Sequence, residues 1–243
     1  MNINFFSLGD NCYTTWMLRN SGLQTSSFPL DWLNSFNLSN LVKFLNDESC
    51  SFINRLDKSP FQIDKEKMSV LYSHELKFRF PHEFDKHPSN TLGDIYTTYL
   101  RRLNRMRKIS EASNKVVFIR WISTDNFSGD AILDDQLAVS VSALELERAL
   151  EALCGHDRFS IIFLTNQPGF FDQFKRPSQK FLFCDEAISL TLCAPESPIK
   201  NELSLLYRNF LDDIGKLDAS STANGSLNEL FEALKSKHQV DFK

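Results

Sequence analysis

Apolar residues along this chain fall into short continuous runs and longer periodic stretches, and the two patterns predict different elements. Continuous runs rich in β-branched and aromatic residues are typical of buried strands, and they occur at residues 2–8, 115–122 and 158–166. Two weaker runs, at 180–185 and 188–194, are further strand candidates. Apolar residues at helical spacing predict helices at about residues 11–19, 37–47, 94–110, 134–155, 198–215 and 227–237.

Residue types at the ends of these stretches predict several boundaries. Ser39 and Asp94 stand near the predicted start of two helices and are typical N-cap residues, whereas Gly155 is a typical helix stop. Pro29 disfavours the helical conformation in the residue before it, so residues 26–33 are predicted to be extended.

The order of these elements predicts the fold class. From residue 115 onward the order is strand, long helix, strand, short helix and strand, and strands separated by helices pair in parallel because a parallel pair needs a crossover connection. Residues 50–92 instead alternate short apolar pieces with charge, either as an antiparallel hairpin over 68–80 or as another ordered insertion. We therefore expect one α/β domain over residues 1–243, with three layers, a mainly parallel sheet, helices on both faces and 50–92 as an inserted cap.

Composition excludes some classes of protein. The chain of 243 residues is 42% hydrophobic and 24% charged, which is ordinary for a globular protein. A net charge of −4 argues against a sequence-independent nucleic-acid binder, which usually carries a basic excess. No stretch approaches the roughly 20 apolar residues of a membrane span, and the N-terminus lacks the features of a signal peptide. We expect a soluble, cytoplasmic protein with no nucleic-acid partner and no membrane span.

The cysteines point away from structural cross-links. Their odd number and the lack of any CxxC spacing fit neither a disulfide framework nor a zinc site. Because the cysteines are scattered, we expect no metal, and we also expect no cofactor. The five cysteines are Cys12, Cys50, Cys154, Cys184 and Cys193.

Cys12 differs from the other cysteines in its place along the chain. It follows the first predicted strand, at a break marked by Gly9, Asp10 and Asn11, where a helix is predicted to begin. A helix N-terminus presents unpaired backbone N–H groups and the positive end of the helix dipole, which stabilise a thiolate and make it a better nucleophile. The alternative is that Cys12 is a small buried packing residue.

Several spaced motifs in the first half of the chain resemble those of one protein family. They are "SLGDNC" (7–12), "FPLDW" (28–32), "FPHEF" (80–84), "YLRRLNRM" (99–106) and "VVFIR" (116–120). Together they resemble a bacterial family of unknown function that is labelled "putative papain-like cysteine peptidase". Two positions depart from the family pattern, since Leu30 replaces a phenylalanine and Glu83 replaces an aspartate.

The resemblance implies a base and a third group for Cys12. A cysteine nucleophile needs a base within hydrogen-bond reach, and the family motif implies that His82 is this base. Asp31 and Glu83 compete as the group that orients His82, although Asp31 lies in a turn-like segment where it could simply cap a turn.

Other polar residues are candidates for contacts with the substrate. Asn11 could donate to an oxyanion together with backbone N–H groups, and Asp10 could add a polar contact, although Asn11 could equally cap the helix. Arg120 ends a predicted buried strand, where α/β sheets bind ligands. Arg102 belongs to a run of arginines on one helix, which suits either an anion or a solvated face.

The leading hypothesis is a thiol-dependent hydrolase or acyl transferase that acts on a peptide, an amide or an acylated sugar. The alternatives are a transferase for sugars or nucleotides, in which residues 7–12 would bind an anion at the helix N-terminus, and a binding domain without catalysis. A papain-like α+β fold is the alternative fold. It would place the cysteine helix before an antiparallel barrel, whereas the periodicity predicts helix-separated strands and favours α/β.

Overall fold

A computed structural model describes fourteen stretches of the chain. They are residues 3–9, 12–20, 22–35, 38–47, 49, 51–63, 66–73, 75–76, 78–80, 82, 89–122, 144–155, 158–165 and 181–184. The strands in these stretches are β1 (Ile3–Ser7), β2 (Asn34–Ser35), β3 (Leu56–Ile63), β4 (Glu66–Ser73), β5 (Phe78–Phe80), β6 (Lys115–Ile122), β7 (Phe159–Thr165) and β8 (Phe181–Cys184). The α-helices are α1 (Tyr13–Asn20), α2 (Leu38–Asn46), α3 (Leu92–Ala112) and α4 (144–154), and Ser51–Arg55 forms a 3₁₀ helix.

Four strands form a parallel sheet in the order β1-β6-β7-β8. The register places Phe6 beside Phe118 on β1 and β6, and Ile119 beside Ile162 on β6 and β7. Residues 116–121 of β6 and 159–163 of β7 are buried on both faces of the sheet, which explains why these two strands are continuous apolar runs in the sequence. The predicted α/β class and the parallel pairing are confirmed, while the three layers stay a prediction.

A second, antiparallel sheet has the strand order β2-β5-β4-β3. The predicted hairpin over residues 68–80 is confirmed, since β4 pairs with β5 from Leu71 opposite Phe80 to Ser73 opposite Phe78. The sequence pattern did not predict β3, which carries Pro60 and pairs along the whole of β4. A proline is tolerated there because β3 lies at the edge of the sheet.

Aromatic side chains join the second sheet to the helices. Phe80 on β5 packs against Phe52 and Tyr99, with ring centroids 6.0 Å and 5.5 Å away. Phe78 packs against Phe44 of α2 at 5.8 Å. All five rings are buried in one continuous core, so this sheet is anchored to α2 and α3 by its aromatic face.

Two predicted helix starts are corrected by the structure. Helix α3 begins with Thr91 as its N-cap, and Asp94 is the third helical residue, whose carboxylate accepts the Thr91 N–H at 2.9 Å. The hydrogen bonds from Thr91 lower the pKa of Asp94. Helix α2 begins at Leu38, so Ser39 lies inside it and is not its cap.

The segment at Pro29 is a turn and not extended, because the N–H of Asp31 donates to the Phe28 carbonyl at 3.4 Å. Proline is favoured at the second position of such a turn. Further predicted elements lie outside the described residues, at 134–143, 188–194, 198–215 and 227–237. Within the stretches that the structure describes, no helix has both the length and the apolar character that crossing a membrane requires.

Gly9 forms the sharp turn at the end of β1. Its φ is +78°, in the left-handed region that L-residues rarely adopt, and its N–H donates to Ser7 Oγ at 3.2 Å. A Cβ atom at this position would lie 2.5 Å from Ser35 Oγ and 3.5 Å from the Leu30 carbonyl oxygen. Only glycine at position 9 therefore allows the backbone to approach Ser35 of β2 this closely.

We expect Gly9→Ala to lower the free energy of unfolding by about 2–4 kcal/mol, because left-handed strain and a steric clash add. Gly155→Ala is the matched control: Gly155 has a φ of +68°, but a Cβ atom there would meet nothing nearer than Glu111 Cγ at 3.9 Å. This control should lose only about 1–2 kcal/mol, from strain alone. Urea unfolding measures both losses, and equal losses in the two variants would contradict the clash.

Candidate functional site

Cys12 lies at the joint between the first strand of the parallel sheet and α1, as the sequence predicts. The N–H of Trp16 donates to the Cys12 carbonyl at 3.0 Å, so Cys12 is the N-cap residue of the helix that begins at Tyr13. The Cys12 side chain is half-buried, whereas Thr14 and Thr15 in the following turn are fully buried. The thiol therefore occupies the accessible end of a helix whose first N–H groups have no intrahelical acceptor.

Arg120 binds the backbone just before this joint. Its side chain is fully buried, and Nη1 donates to the Leu8 carbonyl at 3.1 Å and to Ser35 Oγ at 2.6 Å. Nη2 donates to the Ser35 carbonyl at 2.5 Å. The guanidinium thus joins β6, the end of β1 and β2, and these bonds give Arg120 a structural role at the end of β1. A contact between Arg120 and a substrate stays a prediction.

Asp31 is fully buried in the turn that begins at Phe28. Its Oδ2 accepts the N–H of Phe28 at 2.6 Å and Nε2 of Gln24 at 2.5 Å. Burial raises the pKa of Asp31 to about 7, although the Phe28 hydrogen bond and the charges of Arg19 and Arg102 act in the opposite direction.

The second oxygen of this carboxyl group explains why the neutral acid suits the site. Asp31 Oδ1 and Gln24 Oε1 are both buried, and neither has a hydrogen-bond partner among the residues that the structure describes. A proton on Oδ1 would convert one of these two acceptors into a donor. Asp31 is thus a carboxyl group that is readily protonated near neutral pH and that fixes its own turn.

His82 contacts the residue that follows this carboxyl group. The rings of His82 and Trp32 meet edge to face, with centroids 6.0 Å apart and an angle of 83° between their planes. The guanidinium carbon of Arg19 lies 5.2 Å from the Trp32 ring centroid, and Arg19 Nη2 donates to Ser27 Oγ at 2.6 Å. Sequence reasoning missed Arg19, since no local pattern distinguishes it from other helical arginines.

His82 differs in burial from the phenylalanines that precede it in the sequence. Phe78 and Phe80 are fully buried in the core, whereas His82 is exposed. The strand alternation that places Phe78 and Phe80 on one face directs both of them toward α2 and α3.

The remaining predicted site residues divide into two groups. Arg102 is half-buried on α3, with its guanidinium carbon 5.1 Å from the Tyr99 ring, and its charge acts on Asp31. Asp10, Asn11 and Glu83 lie outside the described residues.

Replacing Arg120 should destabilise the fold. We expect Arg120→Met to lower the free energy of unfolding by about 3–5 kcal/mol, because the Leu8 and Ser35 carbonyls would lose charged donors in a buried place. Arg101→Met, at an exposed position on α3, is the control and should change stability by less than about 0.5 kcal/mol. Urea unfolding at neutral pH provides the comparison, and similar midpoints for the two variants would contradict this role.

The raised pKa of Asp31 predicts a pH dependence of stability. Because the folded-state pKa, about 7, exceeds the unfolded value, the contribution of Asp31 is fully present at low pH and is lost as the pH rises through 7. Asp31→Asn has a neutral hydrogen-bonding side chain that does not titrate. The stability of this variant should therefore not fall for that reason as the pH rises through 7. Between pH 5 and pH 8, we expect the stability of the variant relative to the wild type to rise by about 2–3 kcal/mol.

Urea unfolding of both proteins at several pH values tests this prediction. The difference between the two proteins removes the contributions of histidines and other groups that titrate in the same range. A difference that stays constant from pH 5 to pH 8 would show that Asp31 is ionised throughout.

Comparisons with known proteins assign this chain to a family. An uncharacterised protein of Acanthamoeba polyphaga mimivirus is 24% identical over 172 residues, which cover 63% of this chain and 77% of the viral protein. This relative does not support the bacterial source that the motifs suggest. No solved structure matches the chain significantly. The model of a family described as "putative papain-like cysteine peptidase" matches residues 3–152, which include Cys12, Asp31, His82 and Arg120. The chain belongs to this family.

Proposed function

We propose that the protein is a thiol-dependent hydrolase or acyl transferase in which Cys12 is the nucleophile and His82 is the general base. The observation that carries this proposal is the position of Cys12 as a half-buried N-cap of α1, directly after a strand of the parallel sheet. The family description supports the same general kind of enzyme. Peptides, amides and acylated sugars are the substrate classes that this chemistry serves.

The proposed reaction proceeds through a thioester. His82 accepts the thiol proton as Cys12 Sγ bonds to the substrate carbonyl carbon, and N–H groups at the start of α1 stabilise the oxyanion. The bond from carbon to the leaving nitrogen or oxygen then breaks, and His82 returns the proton to that leaving group. Water, or a second substrate in a transferase, attacks the thioester and gives its proton to His82. The carbon–sulfur bond breaks and Cys12 regains a proton.

Asp31 and Glu83 remain the proposed candidates for the group that orients His82. The Asp31 Oδ2 atom already accepts two hydrogen bonds from its own turn, so an orienting bond would use Oδ1. Asp10, Asn11, Arg102 and Arg120 remain proposed contacts for the substrate. Because Arg120 donates to Leu8 and Ser35, its guanidinium is less suited to an anionic ligand, which weighs against the sugar or nucleotide transferase.

Selective alkylation tests the nucleophile. At neutral pH we expect iodoacetamide to modify Cys12 faster than the other four cysteines, because this thiol is accessible and lies at a helix N-terminus. Cys154 provides an internal control, since it is fully buried and should react only after unfolding. Mass spectrometry of peptides taken over time gives the rates. Labelling of Cys12 no faster than that of the other cysteines would remove the support for this assignment.

The base and the activity are tested with variants. We expect His82→Ala to slow the alkylation of Cys12 by at least about tenfold, which is less than the roughly 10²–10⁴-fold that a general base supplies in catalysis. Release of product from fluorogenic peptide, amide and acetyl-ester substrates should be abolished in Cys12→Ala and retained in Cys154→Ala. Equal activity in the two cysteine variants would contradict the proposed function.

A further inference from the structure

We infer that Trp32 is a positioning residue for His82, with Arg19 holding the indole in place. This inference rests on the proposed function, because it assigns Trp32 a role only if His82 serves Cys12 as a base. The family motif around Trp32 assigns it no role, and as an aromatic residue in an apolar segment it would ordinarily be a core residue. The structure leaves its ring half-buried, in contact with both a histidine and an arginine.

Trp32 is one neighbour that restricts the ring of His82. An exposed histidine can rotate about both side-chain torsions, whereas a general base must direct one nitrogen at its proton donor. The edge-to-face contact with Trp32 restricts the plane of the imidazole. Aromatic pairs favour an edge-to-face arrangement beyond the area that they bury, so this contact favours one orientation of the imidazole.

Trp32 itself is held by its own segment. Its neighbours Asp31 and Leu33 are both fully buried. The Asp31 carboxyl group closes the turn through its bonds with Phe28 and Gln24. The backbone that carries the indole is therefore anchored on both sides, so the exposed part of the ring is a rigid surface.

Arg19 connects the Trp32 ring to α1, the helix that begins at Cys12. It lies in the last turn of α1, the helix whose N-cap is Cys12, and its guanidinium lies over the Trp32 ring while donating to Ser27. A cation over an indole ring is attracted by the π-electrons, and the bond to Ser27 limits the rotation of the guanidinium. Helix α1, Arg19, Trp32 and His82 thus form one continuous set of contacts, which gives the imidazole a defined position relative to the helix of Cys12.

The experiment compares Trp32 variants by two measurements on the full chain. We expect Trp32→Leu to slow the alkylation of Cys12 by iodoacetamide at least about threefold, because small displacements of a catalytic group reduce its effect strongly. Trp32→Phe keeps an aromatic face and should recover most of the rate. Tyr96→Leu, which removes a half-buried aromatic side chain from α3, is the matched control and should alkylate at the wild-type rate.

Nuclear magnetic resonance of the His82 imidazole provides the second measurement. In the wild type we expect cross-relaxation between protons of Trp32 and His82, and a ring-current shift of the His82 signals that Trp32→Leu removes and Tyr96→Leu keeps. If Trp32→Leu does not fold, Arg19→Met replaces it. Loss of the cation over the indole should then shift the His82 signals and slow alkylation at least about twofold.

The outcomes separate this inference from the proposed function. If His82→Ala slows the alkylation of Cys12 while folded Trp32→Leu, or Arg19→Met in its place, reacts at the wild-type rate, the positioning role is wrong and the proposed base remains. If His82→Ala itself leaves the rate unchanged, the proposed base is wrong and the inference falls with it. Slower alkylation in both, with recovery in Trp32→Phe, supports the positioning role.

Discussion

The buried guanidinium of Arg120 joins parts of the molecule that are distant in sequence. From β6 in the parallel sheet it donates to Leu8 at the end of β1 and to Ser35 in the antiparallel sheet. A buried charge is costly unless its donors find acceptors. The acceptors of Nη1 and Nη2 come from both sheets, so this interaction holds the two sheets together at one place. The turn that leads to Cys12 lies there, and Gly9 passes close beneath Ser35. The position of the candidate nucleophile therefore depends on how the two sheets are joined.

A second constraint acts beside the first, in the turn that holds Trp32. Asp31 is so well buried that desolvation outweighs two nearby positive charges, and its pKa rises to about 7. A carboxyl group that is readily protonated can fix a turn without a permanent buried charge. The result is a rigid segment between α1 and β2, and this segment carries the ring that His82 contacts. A rigid segment of this kind can hold a neighbouring functional side chain in one position.

Several features could be predicted from the sequence because their causes are local. The apolar runs predicted β6 and β7 within one residue, since most positions of a strand that is buried on both faces are apolar. The break after β1 placed Cys12 at a helix start. The predicted start of α3 was wrong because two neighbouring residues are both typical of a helix N-terminus. Asp94 is a good cap, but Thr91 forms the capping box with it, so the helix begins three residues earlier than Asp94 alone suggests.

The arrangement of the candidate site was decided only by the tertiary structure. The sequence before His82 does not indicate which residues its phenylalanines contact. In the structure, Phe78 and Phe80 are buried in the core, whereas His82 packs against Trp32. Arg120 could be predicted to lie at a strand end, but not to bind Ser35, 85 residues away in the sequence. A linear pattern records which face of an element is apolar and where the element ends. It does not record which distant backbone carbonyl or ring will lie opposite, because that depends on how sheets and helices pack together.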